Sequence, residues 1–237
     1  MKIIPVIDLL NGEVVHAKKG QRQLYKPIQS QLTESSEPLA IVAALLALYP
    51  FTQLYIADLN AIQKSEDGYH TNFKVIEAIV QSYPQLTLWL DAGISNNTDL
   101  SIWQKLNIRL VIGSESFAHI GNYCSLRHHD ENFILSLDFM PLGYQGPAEL
   151  LANIEYWPKD VIVMSLGNVG TNLGINADLL RKTIGRAKSI NVYAAGGVRN
   201  MDDLTTLKEM GIHGALIATS LHHKQISSEQ LMALANK

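Results

Sequence analysis

Two stretches of this 237-residue chain read as copies of one another: Asp91-Ala-Gly-Ile-Ser-Asn-Asn-Thr-Asp-Leu100 and Ala195-Gly-Gly-Val-Arg-Asn-Met-Asp-Asp-Leu204. They align once Gly93 is set on Gly197. Each leads into a helix-period segment and then a short apolar strand, Val111-Ile-Gly-Ser114 and Leu216-Ile-Ala-Thr219. Working outward, Leu54-Tyr-Ile-Ala-Asp58 matches Val161-Ile-Val-Met-Ser165. Ile3-Ile-Pro-Val-Ile-Asp8 matches Phe133-Ile-Leu-Ser-Leu-Asp138 less tightly. Strands one to four thus read as a copy of strands five to eight. A duplicated half explains this more economically than chance likeness among apolar strands.

The pattern predicts strands near 2–7, 53–58, 87–91, 110–112, 133–138, 161–165, 191–195 and 215–217. Helices are expected near 39–48, 71–82, 98–105, 148–157, 176–188, 202–210 and 229–235. Near-continuous Val/Ile/Leu strands alternating with helices imply a parallel sheet buried on both faces. Eight such units in a chain of this length favour a closed (β/α)₈ TIM barrel over an open sheet. No linker-like stretch divides the chain, so residues 1–237 read as one domain.

Composition narrows the classes. Hydrophobic residues at 47% and charged ones at 17% fit neither a disordered nor a membrane chain. The net charge of −3 argues against nucleic acid as the main partner, while permitting a local cationic pocket for a small anion. Cys124 is the only cysteine, so no intrachain disulfide forms, which suits a reducing cytoplasm. The opening Met-Lys-Ile-Ile-Pro-Val-Ile-Asp reads as a buried strand and not a leader. The longest apolar run, 39–49, lies between Pro38 and Pro50 and is too short to cross a bilayer.

In a parallel barrel the functional face is the C-terminal end of the strands. Asp8, Asp58, Asp91 and Asp138 all fall at expected strand ends. An unpaired carboxylate is costly in a core, so each is a site candidate or else caps the following loop or helix. The repeat sets Asp8 and Asp138 across the mouth from one another, where two carboxylates can divide acid and base roles. Gly196, Gly197, Thr219 and Ser220 would form the loops after strands seven and eight, the usual phosphate site of this fold. Their copies, Gly93, Gly113 and Ser114, offer a second anion site, and two such sites in a two-fold barrel imply a substrate with phosphate at both ends. Glycine in a tight turn also serves geometry alone. The basic stretch Lys18, Lys19, Arg22 and Lys26 reads as a solvated loop or a lid over an anion. The pairs His128-His129 and His222-His223 have no metal-ligand spacing and read as surface residues.

These residues carry a resemblance. Ile4-Pro-Val-Ile-Asp-Leu-Leu-Asn-Gly-Glu-Val-Val15, Ile112-Gly-Ser114, Leu137-Asp138, Gly170-Thr171 and Ala195-Gly-Gly197 resemble the histidine-biosynthesis barrels over essentially the whole chain. The opening motif is more similar to the isomerase branch, which acts on phosphoribosylformimino-aminoimidazole carboxamide ribotide, than to the cyclase. The resemblance implies an amino-acid-biosynthesis enzyme performing an Amadori rearrangement, aminoaldose to aminoketose, without metal or organic cofactor. It implies Asp8 as base, Asp138 as acid, and Gly170 and Thr171 in the substrate loop. It also implies a small phosphorylated metabolite as partner, with neither nucleic acid nor membrane.

The chain departs from the family pattern. The catalytic threonine ending strand six is Met164, followed by Ser165, and the Asp-Gly-Thr of the next loop reads Val169-Gly-Thr. The Gly-Gly-Gly turn after strand three is Asp91-Ala-Gly93, where a carboxylate would repel phosphate. The Gly-Arg pair after strand eight is Ala218-Thr219. These losses are the mark of a divergent paralogue. Three readings follow: the histidine-type isomerase, a paralogue acting on a different and even monophosphorylated substrate, and a barrel that binds a ligand or partner without turnover. Similar barrels are associated with one-carbon and pterin-type cofactor metabolism, a setting for the second.

Overall fold

The computed structural model describes residues 1–17, 21–64, 70–129, 132–169 and 173–235. Eight parallel strands form a ring: β1 (Lys2–Leu10), β2 (Gln53–Asp58), β3 (Thr87–Asp91), β4 (Ile108–Gly113), β5 (Ile134–Met140), β6 (Asp160–Ser165), β7 (Asn191–Ala195) and β8 (Gly214–Ile217). Each pairs with its chain neighbour, and β8 returns to β1 with Lys2 beside Gly214 and Pro5 beside Ile217. The ring is the (β/α)₈ barrel.

Around it run α1 (Pro38–Leu48), α2 (Leu59–Ile62), α3 (His70–Ser82), α4 (Asn97–Trp103), α5 (Ile120–His129), α6 (Ala148–Ala152), α7 (Ala177–Ala187), α8 (Met201–Glu209), α9 (Thr219–His222) and α10 (Ser228–Ala235). Among the described residues no helix is long and apolar enough to cross a membrane. Three helices have no counterpart in the sequence expectations. Helix α5 buries only Tyr123 and Leu126, so it shows little apolar periodicity. Helices α2 and α9 are single turns that open directly off strand ends.

Strand alternation builds two cores. Ile4, Tyr55, Trp89, Val111, Ile134, Ile162, Tyr193 and Leu216 point inward and fill the barrel. Their neighbours Ile7, Ile56, Leu90, Ile112, Leu135 and Val163 point outward under the helices. Trp89 meets Tyr193 edge to face at 4.9 Å. Near the N-terminal end, Arg109 on β4 and Asp160 on β6 form an interior ion pair at 2.6 Å, with Asn191 donating to Asp160 at 2.8 Å. Burial alone would raise the Asp160 carboxyl; the Asn191 and Arg109 hydrogen bonds and the Arg109 charge hold it below its ordinary range. One end of the barrel is therefore plugged, and open space lies at the other.

The duplication is visible atom by atom. Both β1 and β5 run past the barrel into a short antiparallel return, Glu13–Val15 and Gly143–Gln145. Asp8 pairs with Val15, as Asp138 pairs with Gln145; Leu10 pairs with Glu13, as Met140 pairs with Gly143. The first return turns through Asn11 and Gly12 at φ 53° and 83°, the signature of a two-residue hairpin turn. Asn96 caps α4 and Asn200 caps α8 through the same backbone amides, those of Asp99 and Asp203. The sequence ended strands one and five at residues 7 and 138, so the hairpins went unread although Asn11-Gly12 announces the first.

Candidate functional site

Strands β1 and β5 lie half a turn apart in the ring, so Asp8 and Asp138 face one another across its mouth. Both line one cavity, of about 120 Å³, at the C-terminal ends of the strands. Asp138 is 4% exposed. Ser136 Oγ donates to its Oδ1 at 2.6 Å and the Glu115 amide donates to its Oδ2 at 3.1 Å. Ser114 Oγ accepts the Asp138 amide at 2.9 Å and donates to the Gln145 carbonyl at 2.6 Å. Burial, with the charges of Glu115 and Asp91 adding to it, pushes the Asp138 carboxyl up to about 7, against the hydrogen bonds from Ser136 and Glu115. At neutral pH such a group exists as acid and as carboxylate in comparable amounts. Asp8 is half-buried at the start of the hairpin return.

Tyr55 stands among these carboxylates. Its ring is inward on β2, and its hydroxyl donates to Asp91 Oδ2 at 3.2 Å. Burial and the charges of Asp91, Asp138 and Asp8 hold the phenol well above its ordinary value, so it keeps its proton and serves as a hydrogen-bond donor at physiological pH. Sequence reasoning passed over Tyr55, though the alternation that makes Ala57 inward makes Tyr55 inward as well. The same alternation separates Asp58 from the other aspartates. Ala57 is the residue in register with Asp8 and Asp91, so Asp58 points away from the mouth. It is fully buried, caps α2 through the Ala61 amide at 3.2 Å and accepts from Asn72 at 2.7 Å. Asn72 also binds the Gly12 amide, tying the first hairpin turn to α3.

The two strand–helix turns differ in what fills them. Gly93 has φ 61° and Gly197 φ 86°, and in each case an added Cβ would strike backbone: Ile62 Cα at 2.7 Å and the Gly174 carbonyl at 2.1 Å. At Gly196 it would meet the Ser165 carbonyl at 2.4 Å. Both turns need glycine for close packing of the preceding loop. After β3, however, Asp91 Oδ1 accepts the Gly93 amide at 3.1 Å. The residue at the matching place after β7 is Ala195, which has no polar side chain. Gly113 lies between two carboxylates; a Cβ there would stand 3.0 Å from Asp138 Oδ2 and 3.8 Å from Asp91 Oδ2.

Of the remaining candidates, Gly196, Gly197 and Thr219 border the cavity. Ser114 and Ser220 are buried, and Ser220 Oγ donates to the Val198 carbonyl at 3.0 Å. Met164 and Val169 line the wall where β6 ends, beside Arg199, whose guanidinium is held by Asp203 at 2.8 Å. Gly170 and Thr171 lie outside the described residues, as do Lys18 and Lys19. Lys26 is exposed, and His128 and His129 are on the surface. His222 is not: it is 2% exposed, its Nδ1 is 3.0 Å from Ser30 Oγ, and burial with His223 and His16 nearby brings its pKa down to about 4. It is a neutral clamp on the segment leading into α1, which a single turn of helix buries against the barrel.

The cavity can therefore do proton chemistry. It pairs a carboxyl titrating near neutrality with a second carboxylate opposite, a phenol hydrogen-bonded to Asp91, and an apolar wall of Met164, Val6 and Leu216.

Residues 2–227 match the family model described as histidine biosynthesis protein. An uncharacterized protein of Methanocaldococcus jannaschii is 31% identical over 98% of both chains. A 1-(5-phosphoribosyl)-5-((5-phosphoribosylamino)methylideneamino) imidazole-4-carboxamide isomerase of Brachyspira hyodysenteriae is 23% identical over the full length of both. The protein of the same name from Buchnera aphidicola is 25% identical over 97% of both.

Proposed function

This chain belongs to the histidine biosynthesis protein family, and on that premise we propose that it is an isomerase converting a phosphorylated ribosyl aminoaldose into the aminoketose. Asp138 is the acid and Asp8 the base. The observation that carries the reading is Asp138 itself: a buried carboxyl raised to about 7, facing an opposed carboxylate across one cavity. Named relatives with full-length coverage are isomerases of such a substrate.

In this reading Asp138 gives its proton to the ring oxygen as the C1–O bond breaks and the nitrogen lone pair forms C1=N. Asp8 then removes the proton from C2, and the electrons return to nitrogen through a C1=C2 enolamine. Loss of the C2 hydroxyl proton and protonation at C1 complete the ketose. Only protons move, so no redox partner is required. The phosphate is held at the β7 and β8 loops by Gly196, Gly197 and Thr219, which border the cavity. On the opposite side Ser114 and Gly113 serve Asp138, one by accepting its amide and the other by leaving room for its carboxylate.

The test is complementation of a strain lacking the histidine isomerase, with wild type beside Asp8→Asn and Asp138→Asn. Rescue by wild type alone supports the histidine substrate and both roles. Failure of well-expressed wild type removes that substrate and leaves the rearrangement on another sugar phosphate. Rescue by both variants overturns the acid–base roles.

A further inference from the structure

The internal repeat makes the two ends of the cavity comparable, and they are not equivalent. After β7 the turn contains Ala195, Gly196 and Gly197, with Arg199 as the one cation among the described lining residues. After β3 the matching turn contains Asp91. Its Oδ1 already holds the Gly93 amide and its Oδ2 holds the Tyr55 hydroxyl. The Glu115 amide, at the start of the next turn, is held by Asp138 Oδ2. Two amides that an anion would use at this end, those of Gly93 and Glu115, are bound to carboxylates of the chain itself.

We propose that Asp91 is a specificity residue, which makes this cavity select a substrate with one phosphate and reject one with a phosphate at both ends. The inference rests on the reading that a sugar phosphate occupies the cavity. Its physical basis is twofold. A second phosphate would have to displace Asp91 from the Gly93 amide, leaving either that amide or the carboxylate unpaired in a half-buried place. It would also stand beside Asp91 and Glu115, and like charges in a partly desolvated cavity repel far more strongly than in water. Tyr55 adds to this by fixing Asp91 from the side away from the turn.

The experiment is calorimetric titration of the full chain with ribulose 5-phosphate and with ribulose 1,5-bisphosphate. The titrations are repeated for Asp91→Asn, which keeps an acceptor for Gly93, and for Asp91→Gly. Wild type is expected to bind the monophosphate more tightly, by about ten-fold, the equivalent of ~1.4 kcal/mol. In both variants the ratio of the two Kd values should move toward the bisphosphate, and in wild type the preference should shrink as salt screens the charge. A wild type that prefers the bisphosphate, or a ratio unmoved in both variants, overturns the role of Asp91 while leaving the isomerase reading in place. If wild type binds neither compound, the sugar-phosphate reading falls and this inference falls with it.

Discussion

In the turn after β3, Ser95 donates its amide to Asp99 at 2.8 Å; in the turn after β7, Arg199 donates its amide to Asp203 at the same distance. Asn96 and Asn200 cap the helices that follow, and Gly93 and Gly197 each take a left-handed backbone against the loop of the preceding strand. The scaffold of the two turns is shared down to individual hydrogen bonds. Their polar contents differ at two places, a carboxylate at 91 against a methyl at 195 and a hydroxyl at 95 against a guanidinium at 199. The halves thus diverged where a ligand would sit and not where the chain is held together. A duplicated barrel needs the same packing twice, whereas a substrate with unlike ends needs the same site only once.

The largest expected effects come from the opposed carboxylates that the repeat generates. Asp138→Asn and Asp8→Asn should each lower turnover by ~10²–10⁴-fold, the range for a lost general acid or base. Steady-state rates on the aminoaldose phosphate that the protein turns over measure this. A loss confined to one variant would break the symmetry between the halves and assign the proton chemistry to a single strand. With Asp138 as the proposed acid, the wild-type rate should fall as pH rises through about 7.

The same group makes a prediction about stability. Its folded pKa is about 7, against about 3.9 for an unfolded aspartate. Between these values the folded chain binds more protons than the unfolded one, so stability declines as pH rises through that window and levels off above it. Replacing Asp138 by Asn removes the slope. The variant should gain on wild type by up to a few kcal/mol between pH 4 and pH 8. Urea unfolding at several pH values reads the slope directly. An unchanged slope would mean that another buried acid carries it.

The glycines rank the two turns by tightness. Gly197→Ala meets the Gly174 carbonyl at 2.1 Å and Gly93→Ala meets Ile62 Cα at 2.7 Å, both at positive φ. Gly12→Ala also has positive φ but nothing within 4 Å. We expect about 3 kcal/mol or more for Gly197, somewhat less for Gly93 and about 1 kcal/mol for Gly12, where backbone strain acts alone. Denaturant midpoints check the order. If Gly93→Ala proved as mild as Gly12→Ala, the β3 turn would be looser than its copy and able to rearrange around an anion.

The barrel was legible because its signal is collective: eight apolar strands and a repeat survive errors of a few residues at any one boundary. Helix α5 was not, because only two of its residues are buried and its period is faint. The site was legible where the repeat doubled a residue, as with Asp8 and Asp138. It was hidden where geometry alone decides. Asp91 announced a departure, but only three-dimensional placement shows that its carboxylate turns back onto Gly93 and meets Tyr55. Ser114 and Thr219 align in the repeat, yet Ser114 faces the Asp138 amide while Thr219 borders the cavity. His222 read as surface because a four-residue helix leaves no periodic trace of which face it buries.

The smallest expected effect falls on Asp58, the strand-end aspartate that the pleat turns outward. Its Oδ1 accepts both the Ala61 amide and Asn72, while its Oδ2 is buried without a hydrogen-bond partner, and burial raises its pKa. Asn in its place keeps the Oδ1 contacts and removes a carboxylate that gains little from its surroundings. Asp58→Asn should therefore change stability by less than about 1 kcal/mol, in either direction, and leave turnover unaltered. Asp58→Ala is the sharper control, because it strips the α2 cap and frees Asn72, and should cost about 1–2 kcal/mol. If instead Asp58→Asn abolished turnover while unfolding at the wild-type midpoint, the division into inward catalytic and outward structural aspartates would be wrong. The β2 end would then join β1 and β5 in the chemistry, and the likeness between the halves would have to be redrawn around it.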